Sequence, residues 1–351
     1  MSELRVEYIE SEPLPDGLDE PSLRRRALGV TGAFLLIALV AAFAPGLGEV
    51  RSRLADAQAG WLVAAVVLEL LSCLAYVLMF KPVFCTHMSW RSAYELGMSE
   101  LAVGSLMPAS GAGGLAFGVW ALRRGGMPGR DITRGTVAFA VLKSAANFVA
   151  VVVVGLAMWL GVGPHRSPLL TLLPAALALL AMVAVAAIPI RAARRPERAD
   201  EPSGARRWLA RAGRALDTGV QEAGRVLRRR DWRVIAGSLG YWAFDNAVLY
   251  ATLRAVGASP AITLVLMGYL IGQLGGLLPI PGGIGGIDGG LLGTLVVYGL
   301  PVAATAAAIL AYRLILFWLP LILGGAAFVS LRKGLNDPER PDICDPFAAA
   351  A

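Results

Sequence analysis

Apolar residues gather into eight long windows, near 28–45, 60–80, 93–122, 132–160, 168–190, 233–256, 261–299 and 302–330, and polar residues gather between them. Runs of about 20 apolar residues match a hydrocarbon core of ~30 Å. Helices are the default there, because an unpaired backbone polar group in hydrocarbon costs several kcal/mol and only helices and closed barrels avoid it. Two windows are interrupted. The 93–122 window breaks at Leu106-Met107-Pro108-Ala109-Ser110-Gly111-Ala112-Gly113-Gly114. Its first arm, about 15 residues, would rise only ~22 Å, so it is expected to enter the membrane and turn back. The 261–299 window breaks around Pro279, Pro281, Gly282 and Gly283. Its first arm, at ~28 Å, is almost long enough to span.

Basic residues test this reading, since Lys and Arg collect in short cytoplasmic loops. With both interrupted windows as re-entrant hairpins, six full spans remain, and 26 of the 32 Lys and Arg fall on one side together with both termini. Arg51, Arg53, Arg166 and Arg254 fall on the other, and Lys143 and Arg313 lie inside spans. Letting only one window cross would move either the 191–233 cluster or the C-terminal basic group outside. The expected fold is an all-α polytopic membrane protein of about six spans and two opposed re-entrant hairpins. Residues 27–332 form its membrane domain, in a bacterial-type plasma membrane with both termini cytoplasmic. Residues 1–26 read as a disordered acidic tail, because the first 23 carry seven acids against one Arg5, with three prolines. Arg24, Arg25 and Arg26 precede the first apolar run without a cleavage-site pattern, so that run reads as a retained helix. Residues 333–351 read as a C-terminal cytoplasmic tail.

Charge and composition narrow the chemistry. The chain has 351 residues, 56% apolar and 16% charged, which excludes an ordinary soluble protein, where nearer a quarter are charged. Three cysteines and two histidines at unrelated spacings offer no disulfide framework, zinc site or haem site, so no cofactor is expected. The net charge of +7 belongs mainly to residues 191–232. There Leu209, Ala212, Leu216, Val220, Ala223 and Leu227 recur at helical spacing among arginines, as in a helix lying on an anionic leaflet. The positive-inside rule accounts for the same charge without any ligand. It leaves no need for nucleic acid as a partner.

The two breaks resemble each other. Gly104-x-x-x-Pro108-x-x-Gly111 matches Gly275-x-x-x-Pro279-x-x-Gly282, and each continues with a glycine pair, Gly113-Gly114 and Gly285-Gly286. Proline removes a helical donor and glycine permits turns closed to other residues, so both stretches read as unwound backbone. Span, span, hairpin, span then occurs twice, starting from opposite sides, as in the inverted repeats that place a site at the midplane. Intramembrane cations follow the repeat: Lys143 lies 32 residues after Gly111 and Arg313 lies 31 after Gly282. Charges there cost at least ~2.5 to 3.5 kcal/mol and require partners or a polar cavity. Glu69, Glu100, Asp245 and Asp288 are candidate partners. In one reading these pairs merely lock helices together. In the other, Lys143 and Arg313 face an anionic substrate, with backbone N–H groups and helix N-termini of the glycine breaks as further donors. Glu95 lies near a helix end and is expected to snorkel.

The stretch LMPASGAGGLAFGVWALRRGGMP from Leu106, and the stretch from Leu278 beginning LPIPGGIGGIDGGLLGTLVVYGLP and ending AYRLILFWLP, resemble the lysylphosphatidylglycerol synthase transmembrane-domain family of flippase-like proteins. The second motif, with Pro281, Gly282, Gly283, Gly285, Asp288, Tyr312 and Arg313, is the more specific. The first supplies Pro108, Gly111, Gly113 and Gly114. The resemblance extends over about residues 27–332 and implies lipid handling. It does not bring the namesake's soluble aminoacyl-transfer domain, for which nothing beyond residue 333 has room. Many relatives have glutamate where this chain has Asp288. Many also have an arginine after the first glycines, where Gly114-Leu115-Ala116-Phe117-Gly118 is apolar. The first half-site would then rest on Lys143, or on Arg123 and Arg124.

The leading expectation is a non-enzymatic transporter that moves a lipid with an anionic headgroup, a phospholipid or polyprenyl phosphate, between leaflets. No Gly-x-x-x-x-Gly-Lys-[Ser/Thr] loop is present for driving by ATP within this chain. The alternatives are a non-transporting accessory subunit of an envelope-lipid pathway and an intramembrane lipid-modifying enzyme. The last would want a nucleophile or metal-ligand cluster that neither histidine supplies with a nearby acid in sequence.

Overall fold

The computed structural model describes residues 20–107, 112–164, 167–187, 205–273, 285–337 and 343–344. These form twelve helices and no strand: α1 Glu20–Phe43, α2 Gly48–Ala55, α3 Ala59–Phe84, α4 Trp90–Leu106, α5 Ala112–Arg124, α6 Gly129–Trp159, α7 Pro168–Ala186, α8 Ala205–Arg228, α9 Trp232–Ala255, α10 Ile262–Gly272, α11 Gly286–Val297 and α12 Val302–Leu335. Local chemistry sets many of the ends. Ser89 and Asp231 accept N–H bonds from Ser92 and Arg233, both at 3.0 Å, at the starts of α4 and α9. Pro168 opens α7, where its missing donor is harmless. Gly257 and Gly299, at φ +82° and +94°, turn the chain sharply after α9 and α11.

Four helices, α3, α6, α7 and α12, are long and apolar enough to cross a membrane. α1 and α9, at 24 residues each, have the length, ~36 Å, but carry charge: Arg24 to Arg26 in α1, and Arg233, Asp245 and Arg254 in α9. α1 begins at Glu20, ahead of its apolar window, and buries Leu23. The shape is that of a polytopic membrane protein.

The central pair is α3 with α9. A Cβ on Gly237 would lie 2.7 Å from Met79 Cβ, one on Gly240 3.1 Å from Ala75 Cβ, and at the other end the Ala255 carbonyl accepts from Gln58 N–H at 2.9 Å. Rising numbers on one helix thus meet falling numbers on the other, so the two run antiparallel along their whole length. Each is followed by a helical hairpin and a long helix. In the first hairpin α5 folds back on α4: Cβ atoms on Gly114 and Gly118 would stand 2.5 Å from the Glu100 carbonyl oxygen and 2.8 Å from its Oε2. In the second, Gly272 and Gly268 of α10 face Leu291 and Leu295 of α11. Because α3 and α9 are antiparallel and each hairpin follows within a few residues, the hairpins insert from opposite ends of the bundle. The halves exchange partners as well: α4 packs on α12 and α10 on α6, while α7 packs on α6 and Phe34 of α1 lies 4.9 Å from Phe317 of α12. This is an inverted repeat. Of the 261–279 arm the described part is an 11-residue helix, ~17 Å, and residues 274–279 lie outside the described residues.

Two apolar clusters stack along the bundle. One joins Tyr76, Phe80 and Met88 to Leu96, Phe117, Phe139 and the Phe317–Leu331 part of α12. The other joins Ala65 and the C-terminal half of α6 to α9, α10, α11 and the part of α12 up to Tyr312. α3, α6, α9 and α12 each pass from one cluster to the other, and their charged and hydroxyl-bearing residues fall at the crossing.

The basic helix α8 meets the protein along only part of its expected stripe. Gly219, Ala223 and Val226 are buried, with Gly219 against Val137 of α6, whereas Leu216 and Leu227 are 43% and 47% exposed. Arg134 of α6 reaches Glu222 at 3.7 Å, so the helix leans on the protein through a small-residue edge and a charge pair. Leu216 and Leu227 of the expected stripe stay outside that contact.

Candidate functional site

At the crossing between the clusters lies a cavity of about 260 Å³. Its wall combines Glu69 and Tyr76 of α3, Glu100 of α4, Lys143 of α6, Tyr241 and Asp245 of α9, and Arg313 of α12, closed on one side by Leu101, Leu316, Phe317 and Pro320. Leu115 and Ile287, each in the first turns of its helix, bring the N-terminal ends of α5 and α11 to the same cavity. Both halves therefore meet there, each with one cation and one helix N-terminus. The volume is just below the usual range of ligand pockets and suits a headgroup more than a whole lipid.

Each charge has a distinct setting. Arg313 donates from Nε to Asp288 Oδ1, while Asp288 Oδ2 accepts from the Gly285 N–H at 2.9 Å. The pair ties α12 to the start of α11. Gly285, at φ +86°, takes the turn that presents this N–H. Asp245 accepts from Tyr312 at 2.8 Å and from Tyr269, so two phenols hold one carboxylate. Glu100 accepts from Tyr76 at 2.9 Å. Lys143, midway along α6, has its Nζ 5.7 Å from the centre of the Tyr76 ring and shares an electrostatic contact with Glu100, without an ion pair inside 4 Å among the described residues. Glu69 is 3% exposed; Cys73 Sγ lies 3.7 Å from its Oε1, and its Oε2 has no hydrogen-bond partner among the described residues.

The structure brings Lys143, Arg313, Asp245 and Glu100 to the cavity wall, with Tyr312 bonded to Asp245 and Asp288 to Arg313. Gly113 and Gly114 serve packing: a Cβ at 113 would lie 2.2 Å from Met107 Cβ, and one at 114 would strike α4 backbone. Pro108, Gly111, Pro281, Gly282 and Gly283 lie outside the described residues. Two expectations are corrected. Glu95 does not snorkel: it is 4% exposed and accepts from Arg91 Nε at 3.0 Å and from Ser330 Oγ at 2.7 Å, because α12 covers that face of α4. Arg123 and Arg124 do not complete the first half-site. They end α5 away from the cavity, with Arg124 donating to Asn336 Oδ1 at 3.0 Å and lying over Trp120, which leaves Lys143 as that half's cation. Tyr76, Tyr241 and Tyr269 are the site residues the sequence reading missed. Tyr76 and Tyr269 each stand 24 residues from the carboxylate they hold, on a neighbouring helix.

Inverted halves, opposed helical hairpins and a charged cavity at mid-bundle define a polytopic membrane protein with a buried polar site. The model of the lysylphosphatidylglycerol synthase transmembrane region matches residues 28–324. The chain belongs to that family. Among curated proteins it is similar to two UPF0104 membrane proteins of Methanothermobacter thermautotrophicus. One is 38% identical over 100 residues, covering 28% of each chain; the other is 33% identical over 110 residues, covering 31% of this chain and 33% of the relative. The matched segments thus span a third or less of these relatives.

Proposed function

We propose that this protein moves a lipid with an anionic, phosphate-bearing headgroup between the leaflets of a plasma membrane, without ATP and without making or breaking a covalent bond. The observation that carries the reading is the convergence of Lys143 and Arg313, one from each inverted half, on a single cavity that also receives the N-terminal ends of α5 and α11. Cations and helix N-termini are the groups that hold phosphate in a low-dielectric site. The hairpins enter from opposite faces of the membrane, and the headgroup passes between them at their meeting point, as in other inverted-repeat carriers. Acyl chains stay in lipid.

The test is translocation in vesicles of purified protein and phosphatidylcholine, using fluorescent phosphatidylglycerol, fluorescent phosphatidylcholine and a polyprenyl phosphate as probes. Anionic probes should cross at least tenfold faster than the zwitterionic one. Lys143→Ala should remove that difference when rates are compared per reconstituted protein, so that any loss of stability at the buried Glu100 is not read as lost selectivity. Equal rates for all headgroups, or rates no better than protein-free vesicles, would leave a non-transporting accessory role as the better reading.

A further inference from the structure

The cavity holds more acid than base. Glu69, Glu100 and Asp245 line it against Lys143 and Arg313, and Asp288 stands outside the lining, paired with Arg313. Arg313 is joined to Asp288, Lys143 answers Glu100, and two tyrosine hydroxyls satisfy Asp245. Glu69 remains without a cation. Its surroundings can be taken helix by helix. On α3 itself stand Cys73 and Tyr76. From α9 come Asp245, whose negative charge acts on Glu69, and Tyr241. α4 brings Glu100, α6 brings Lys143 and α12 brings Arg313. The two cations are committed to the other acids, and the nearby Asp245 carboxylate repels a charge on Glu69. An ionised Glu69 would therefore be buried with one oxygen unpartnered and a like charge beside it, the arrangement burial penalises most.

We infer that Glu69 is a proton-binding site, and that its proton travels with the anionic headgroup. This rests on the transport reading above. Open to either face, Glu69 exchanges its proton with water there; closed off from water, its buried and unpartnered Oε2 favours the neutral form. A phosphate drawn to Lys143 and Arg313 adds negative charge beside Glu69 and so favours the protonated form. By linkage the proton favours phosphate binding by the same factor. Proton and lipid then load together from one face, and on the other face Glu69 releases the proton to water as the headgroup leaves. One proton accompanies one lipid, and the transmembrane proton gradient drives the movement. A metal ion is a poor rival: no group of three or more His, Cys, Asp or Glu with metal-holding geometry occurs among the described residues.

Two measurements on the full chain decide this. In vesicles of phosphatidylcholine with fluorescent phosphatidylglycerol, an imposed proton gradient should speed translocation several-fold in the wild type and leave Glu69→Gln unaffected. In infrared spectra of the purified protein, the protonated-carboxyl band present at neutral pH should be weakened in Glu69→Gln. Should Glu69→Gln fail to accumulate, carbodiimide labelling of the wild-type chain replaces it, with modification at Glu69 expected at neutral pH and lost as pH rises. Translocation that ignores the proton gradient, or follows a sodium gradient, overturns the coupling and leaves the transport reading intact. An infrared band identical in wild type and Glu69→Gln, or no carbodiimide product at Glu69 at any pH, overturns the proton site. If no probe crosses at all, the transport reading falls together with the coupling, and the infrared band alone decides whether Glu69 carries a proton.

Discussion

Replacing Arg313 by alanine removes the guanidinium that Asp288 accepts from and leaves that carboxylate, among the described residues, with the Gly285 N–H alone. The two side chains are 11% and 25% exposed. Breaking a buried pair by deleting one partner costs ~3 to 5 kcal/mol, and the partial exposure of Asp288 places this case near ~3 kcal/mol. That is roughly two orders of magnitude in the ratio of folded to unfolded protein. Asp288→Ala should destabilise too, but the double variant should fall short of the sum, with a coupling of roughly 1 to 3 kcal/mol. The assay is equilibrium unfolding of the four proteins in one detergent, with translocation measured in parallel. Arg313→Lys adds the functional arm: it keeps the Coulomb attraction and loses the planar fork suited to phosphate, so it should fold nearly normally and transport poorly. Single-variant effects that add within ~0.5 kcal/mol would refute the pairing, and normal transport in both Arg313→Lys and Arg313→Ala would remove Arg313 from the substrate path.

Gly324→Val should lower the melting temperature, by overpacking of at least ~1 to 3 kcal/mol, because a Cβ there would lie 2.2 Å from the Met98 carbonyl oxygen; Gly325→Ala, with nothing within 4 Å, is the silent control. Cys85, just beyond the end of α3, has its thiol lowered to about 6 by a hydrogen bond with the Cys344 side chain, so its alkylation rate should rise through that pH, plateau above it, and shift to higher pH in Cys344→Ala. A rate still climbing through pH 8 would contradict the contact. For orientation, Arg130→Cys and Asn336→Cys in a cysteine-free background should be shielded from impermeant thiol reagents in intact cells while Arg53→Cys reacts; labelling of Asn336→Cys from outside would exclude both termini being cytoplasmic.

The architecture was legible where the chain departs from uniform apolarity. Pro108 and Pro279 with their glycines marked two breaks, and Lys143 and Arg313 at matching distances marked the repeat. Their meeting in one cavity followed from that symmetry. The specific pairings were hidden, for a physical reason. Helices apolar on every side carry no periodic signal of which side faces which neighbour, so the spacing of Tyr269 or Tyr76 says nothing of the carboxylate each holds. Glu95 was misread for the same cause: its distance along α4 says interface, but α12 covers it. In α8 the polar face was evident, yet glycine and alanine, rather than Leu216 and Leu227, made the contact with α6, because close approach of two helices favours small side chains.

The repeat is imperfect at one telling place. Aligning Gly111 with Gly282 sets Phe117 opposite Asp288, so the second hairpin carries an acid clasped to Arg313 where the first carries a buried aromatic ring. Two identical halves would give a protein with two mirror arrangements of equal energy, each occupied half the time. A single clasp present in one half breaks that tie. Every ~1.4 kcal/mol the clasp contributes would favour tenfold any arrangement that keeps α11 tied to α12, a bias with no counterpart at Phe117. Asp288→Asn would then act as a thumb lifted from a scale: the second hairpin would lose its charged tie to α12 and, like the first at Phe117, be held there without an ion pair.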